Sequence, residues 1–131
     1  MAERLHELRN SLTGDVLVEG DREYERARLC FNLLIDRRPV AIARCVDVND
    51  VASALAFGQA EGLEIAVRGG GHNPAGHCAV DDGLVIDLSR MRDVGVDPEK
   101  HTALSQGGAT WLDFDTATQA HALVAPGGVV G

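Results

Sequence analysis

Cations are scarce in this sequence, and scarcest where its backbone is most contorted. From Val40 onward five Lys or Arg face twelve Asp or Glu, whereas residues 1–39 hold seven against eight. The net charge of −8 argues against nucleic acid as a partner, because affinity there comes from neutralising phosphates. Any phosphate ligand must instead be held mostly by backbone N–H groups. No apolar run reaches the length that spans a bilayer, so no membrane partner is expected. The opening MAERLHELRN interleaves charge with leucine and does not form a secretory leader, which leaves a cytoplasmic location as the expectation. Cysteine is limited to Cys30, Cys45 and Cys78. An odd, scattered set in such a context reads as free thiols, buried as small hydrophobes. Internal repeats and low-complexity tracts are absent.

What remains is a chain of 131 residues, 45% hydrophobic and 24% charged, enough for one domain with its own core. Leu5, Leu8 and Leu12 share one helical face before TGD breaks the pattern. A second helical stretch follows Asp21, with Tyr24, Ala27 and Leu29 available for burial. VAIARC after Pro39 is a short apolar strand. DVNDVASALAFGQAEG is the clearest helix: Asp47 or Asn49 can cap it, Val48, Val51 and Leu55 fall at helical spacing, and Gly62 suits the position just past its end. LEIAV follows as a strand, so this stretch predicts a βαβ unit with a parallel strand pair. GLVIDLS is a further strand. VGVDPEKHTALSQ predicts two short strands around an Asp97-Pro98 turn. GGATWLDFDTATQA predicts a Gly-Gly turn, a Thr110 cap and a helix burying Trp111, Phe114 and Ala117.

Glycine is concentrated late, with 13 of 15 from Gly58 onward. The densest stretch is VRGGGHNPAGHC, residues 67–78, at the end of a predicted strand. Successive glycines allow positive φ and let backbone N–H groups converge into an anion-binding nest. Arg68 either adds a cation to such a nest or is a solvated strand-end residue. The loop lacks the Lys-Ser/Thr ending of a P-loop and the G-x-G-x-x-G spacing of a dinucleotide-binding turn. Three roles compete for His72: a metal ligand with His77 and Cys78, a structural residue bonding the loop, or a nucleophile beside a bound electrophile. The first is the least supported, because the spacing matches no standard zinc pattern.

The run RRPVAIARCVDVNDVASALAFGQAEGLEIAVRGGGHNPAGHCAVDDGLVIDLSRMRDVGVDP, continued by QGGATWLDFDTATQAHALVAPGGVVG, resembles the FAD-linked oxidoreductases of the berberine-bridge-enzyme-like group, within the wider vanillyl-alcohol oxidase and para-cresol methylhydroxylase (PCMH) fold family. GDREYERAR and FNLLIDRRP resemble the start of that family, so the likeness covers nearly the whole chain. RGGGHN and GLVIDLS are its specific signature. The fold implied is α+β, the N-terminal part of a PCMH-type FAD-binding domain with two α/β subdomains, the second incomplete. On this reading residues 1–38 are a helical lead-in and residues 39–131 the FAD-binding domain, truncated at its C-terminal end.

In the family, the histidine of R-G-G-G-H bonds through a ring nitrogen to the 8α-methyl carbon of the flavin; that position is His72. Arg68, Gly69, Gly70, Gly71 and Asn73 are implied as the pyrophosphate loop, and Gly127 and Gly128 as part of an incomplete second loop. Many relatives add a second covalent link through a cysteine in P-A-G-x-C; Val130 stands there, so a single attachment through His72 is expected. Cys78 is then a packed thiol and His77 a solvent-facing residue. The implied parent reaction is hydride abstraction from an alcohol, hemiacetal or amine-adjacent carbon, with oxygen as acceptor and a small-molecule substrate bound by a later domain. No catalytic residue is identifiable within the chain and no metal is expected. Two alternatives stand beside it. One is a truncated remnant, or one half of a split protein completed by a complementary chain. The other is a small metal- or nucleotide-binding module without redox chemistry.

Overall fold

A computed structural model describes residues 1–128. Its elements in chain order are α1 (Ala2–Ser11), β1 (Asp15–Leu17), α2 (Tyr24–Ala27), β2 (Ala41–Arg44), α3 (Val48–Ala60), β3 (Ile65–Arg68), β4 (Leu84–Asp87), β5 (Val94–Asp97), β6 (Thr102–Ser105) and α4 (Trp111–Gln119). The α+β architecture expected from the sequence is present, as a four-stranded sheet followed by a hairpin and a helix.

The sheet order is β1-β2-β4-β3. β2, β4 and β3 run parallel, and β1 lies antiparallel on the outer side of β2. The predicted βαβ unit is therefore corrected in one respect. Its two strands are parallel but do not pair, because β4 inserts between them. Local patterning cannot reveal such an insertion. The burial of β4 explains it, since Leu84, Val85 and Ile86 are 0–2% exposed and only a central strand covered on both faces buries every position. Residues 1–38 hold α1 and α2. Besides two helices, this stretch supplies β1, paired to β2 from Asp15↔Arg44 to Leu17↔Ile42.

Strand alternation sends neighbouring residues to opposite faces. Val16, Ala41, Ala43, Leu84 and Ile86 join Leu8 of α1, Leu12 just past its end, and Ala54 and Phe57 of α3 in one core cluster. Leu17, Ile42, Ala66 and Val85 face the other way, where Tyr24 and Val80 cover them. The Tyr24 hydroxyl donates to the Pro39 carbonyl at 2.7 Å, which satisfies a polar group in a residue 1% exposed. Leu29, expected to join it, is 43% exposed: α2 ends at Ala27, so the helical spacing that would bury Leu29 does not continue to it.

Helix α3 starts where Asp47 caps it, accepting from the Asn49 and Asp50 N–H groups. Its end is a Schellman motif: the Leu63 N–H reaches Gly58 O and the Gly62 N–H reaches Gln59 O, with Gly62 at φ +65. The face it buries differs from the one expected. Val48 and Leu55 are exposed, while Asp50, Ala54, Phe57 and Gly58 are buried. The Asp50 carboxylate sets that rotation by accepting from Thr13 N at 2.7 Å, Gly14 N at 2.9 Å and Val46 N at 3.0 Å. Satisfying three backbone donors at once fixes which side of the helix turns inward.

The strands β5 and β6 pair antiparallel around the Asp97-Pro98 turn, as the turn chemistry predicts. α4 begins at Thr110 in a full capping box with Asp113. Trp111, Phe114 and Ala117 are half-buried rather than buried, and Thr118 is the residue α4 encloses. The hairpin is seated against the sheet by close backbone approach: a Cβ on Gly108 would stand 1.7 Å from the Leu88 carbonyl oxygen.

Candidate cofactor site

β3 and β4 are adjacent and parallel, so the chain between them must cross from the carboxyl end of one to the amino end of the other. Residues 69–83 make that crossing, and the glycine run is its first part. Topology thus puts Gly69–Asn73 at the carboxyl ends of the parallel strands, where ligands of open α/β sheets bind. Gly71 has φ +73, which a side chain would strain. A Cβ on Gly69 would stand 2.5 Å from Gly107 O, so the loop passes directly against the turn after β6.

The strand register places Arg44, Asp87 and Arg68 in one row across that end of the sheet. Arg68 Nη2 meets Asp87 Oδ2 at 2.8 Å, with side chains 6% and 7% exposed, and Nη1 reaches the Leu29 carbonyl at 3.4 Å. The solvated reading of Arg68 is therefore corrected. It is a buried strut under the loop, partly neutralised by Asp87, whose other oxygen accepts from Ser89 N at 2.8 Å.

Two cavities meet at this loop. One, of about 330 Å³, is lined by Gly70, His72, Ser105, Thr110, Trp111 and Phe114, among others. The other, of about 870 Å³, is lined by Arg22, Arg26, Arg44, Arg68, Gly69 and Gly70, among others. Gly70 belongs to both. The first is walled by aromatic rings, with Trp111 and Phe114 edge to face at 5.5 Å. The second gathers four arginines from three separate segments of an acidic protein. Arg44 pairs with Asp15 and, at 2.6 Å, with Glu23; Arg22 and Arg26 make no ion pair among the described residues. Sequence reasoning missed Arg22, Arg26 and Arg44. Arg44 is distant in the chain from Arg22 and Arg26, and only the register of β2 against β4 and the turn into α2 bring them together.

His72 is exposed, and its imidazole lies 5.2 Å from the Phe31 ring, centroid to centroid. The Phe31 N–H donates to Gly71 O at 3.1 Å, so segment 29–32 flanks the loop from outside. Asn73 closes the loop on itself: its Oδ1 accepts from His77 N at 3.2 Å and its carbonyl from Gly76 N at 3.1 Å. Gly127 and Gly128 stand against the Trp111 ring, where a Cβ on Gly127 would come within 2.8 Å of ring atoms. Val130 lies outside the described residues. His77 is exposed and Cys78 is buried against Cys30. Among the described residues, no group of three His, Cys, Asp or Glu side chains could hold a metal, and no helix is long and apolar enough to cross a membrane.

These residues suit an elongated ligand with an aromatic end at His72 and an anionic middle over the glycines. Comparison with known proteins identifies the family. A family model described as FAD binding domain matches residues 39–130. The (R)-6-hydroxynicotine oxidase of Paenarthrobacter nicotinovorans is 36% identical over 98 residues, 75% of this chain and 21% of that protein. The crystal structure of 6-hydroxy-D-nicotine oxidase from Arthrobacter nicotinovorans superposes with a TM-score of 0.81 at 32% identity, over 85% of this chain and 24% of that one. The berberine-bridge-enzyme-like 1 protein of Physcomitrella patens gives 0.68 at 27% identity, over 76% and 22%. The chain spans about a quarter of the length of the curated relatives it matches.

Proposed function

Because this chain belongs to the FAD binding domain family of FAD-linked oxidoreductases, we propose that it holds FAD with the flavin at His72 and the pyrophosphate over Gly69–Gly71, and that His72 is the single covalent attachment. The observation that carries this reading is the junction of the two cavities at Gly70. A ring system entering the Trp111 and Phe114 cavity beside His72 leads its phosphate chain past Gly70 into the arginine-lined groove. There the nest of loop N–H groups, with Arg22 and Arg26, supplies the positive potential that an acidic protein otherwise lacks.

Bound flavin supplies the acceptor for a hydride from an alcohol, hemiacetal or amine-adjacent carbon, and oxygen is its proposed reoxidant. The chain's own residues bind and orient. His72 stands exposed at the cavity mouth with Phe31 against one side of its ring, which limits the directions its nitrogens can face. Attachment requires one imidazole nitrogen with a free lone pair. Arg68 and Asp87 brace the strand ends from which the loop springs. Substrate selection, and the group that takes the substrate's proton, belong on this reading to the length of the relatives beyond this chain's match.

The test is direct. The chain is incubated with FAD, unfolded and separated from free cofactor, and its flavin fluorescence is read. Fluorescence that stays with the polypeptide, maps to the peptide carrying His72 and vanishes in His72→Ala is the expected result. A chain that binds FAD reversibly but leaves His72 unmodified overturns the covalent attachment, and a chain with no affinity for FAD overturns the reading as a whole.

A further inference from the structure

Cys30 and Cys78 come from segments 48 residues apart and bring their Sγ atoms to 3.4 Å. Both are buried, at 5% and 6% exposure. Each lies beside a residue already placed at the glycine loop. Cys30 precedes Phe31, which touches His72 and bonds Gly71. Cys78 follows His77, whose N–H bonds Asn73. Phe31 is 70% exposed and His77 is exposed, and each cysteine keeps a small exposure of its own, so the pair lies at the edge of the core. Cys45 is different. It is 0% exposed, and burial, with Asp50 and Asp87 nearby, pushes its thiol up to about 12.

We propose that Cys30 and Cys78 are an oxidation site, at which a peroxide converts the two thiols into a disulfide that ties segment 29–32 to the glycine loop. One thiolate attacks the O–O bond of hydrogen peroxide and becomes a sulfenic acid, releasing the first water. The second sulfur attacks the sulfenic sulfur, the S–S bond forms, and the second water leaves. The two thiols lose two electrons and two protons, and the peroxide is reduced to two waters. The sulfurs must close by about 1.4 Å from contact to bonding distance. Burial, and then the contact with Cys78, raise the Cys30 thiol above its ordinary range, while the nearby Arg68 guanidinium opposes them. The reaction is therefore slow at neutral pH and faster in mild alkali. The cross-link closes a long loop, which favours the folded chain by restricting the unfolded one. It also pins the two strands of backbone that flank His72.

The whole chain, without FAD, is exposed to hydrogen peroxide, quenched, unfolded and alkylated. The expected product is a monomer lighter by about 2 Da, with one alkylable thiol at Cys45 and a linked peptide pair containing Cys30 and Cys78. Its melting temperature rises by several degrees, and dithiothreitol reverses both changes. Cys30→Ser and Cys78→Ser each retain two alkylable thiols or advance to sulfinic acid. Three alkylable thiols in the treated chain, a disulfide that includes Cys45, or a link only between chains overturns the proposal. None of these readouts depends on flavin binding.

Discussion

At 1% exposure Asp50 is the most enclosed carboxylate of the chain's described residues, and its three backbone donors make the burial tolerable. Burial alone would raise its pKa, but the N–H groups of Val46, Thr13 and Gly14 outweigh that and hold it below the usual carboxylate range. A depressed folded pKa stabilises the fold above the unfolded value of about 3.9, and that contribution is lost as pH falls through the folded value. Asp50→Asn puts an amide donor against one of those N–H groups and is expected to destabilise by about 1–3 kcal/mol. It should also flatten the acid limb of a stability–pH curve measured by urea unfolding; an unchanged limb would count against the carboxylate's role. Arg68 poses the complementary case. Arg68→Met strands the buried Asp87 carboxylate and is expected to cost about 3–5 kcal/mol, partly recovered in the double variant with Asp87→Asn. A loss well under that range in urea midpoints would mean that water reaches the pair. Neither burial was legible in the sequence, since both depend on partners tens of residues away.

Elements were legible where their chemistry is local. Asp47 and Thr110 were readable as caps because a cap needs only the next three residues. Gly62 was readable as a helix terminator, and Asp97-Pro98 as a turn, for the same reason. Thr110→Ala removes the side-chain acceptor for Asp113 N and is expected to destabilise α4 by about 1 kcal/mol. Because Thr110 and Trp111 line the cavity beside His72, amide exchange in α4 should speed up more than exchange in β4. Equal acceleration in both would show that α4 does not open on its own. The buried face of α3 was not legible. Apolar spacing favoured Val48 and Leu55, yet both are exposed, because hydrogen bonds to Asp50 took precedence over their burial. The glycine run was readable as a loop leaving a strand end, while the arginine groove behind it was not, because its members converge only once the sheet has formed.

The molecule as a whole is a sheet whose central strand is the last of its four to occur in the chain. β4 holds β2 on one side and β3 on the other, and those two do not pair with each other. As the polypeptide leaves the ribosome, everything up to β3 therefore offers only the antiparallel β1–β2 ribbon, marginal by itself, and nothing that joins β3 to it. The α1 and α3 helices and the β1–β2 ribbon can flicker into existence, but β2 and β3 have no parallel partner until Leu84–Asp87 emerges. Assembly is then a single late event rather than a progression, with the loop-closure entropy of three segments overcome together. A chain ended at residue 80 should show no cooperative melting, while the full chain melts in one transition; a cooperative transition in the shorter chain would contradict this order of events. The glycine crossover emerges just before that event. Its length is what lets the final strand slide between two that were already made, so the segment proposed to cradle a cofactor in the finished protein is also the slack on which the timing of its folding depends.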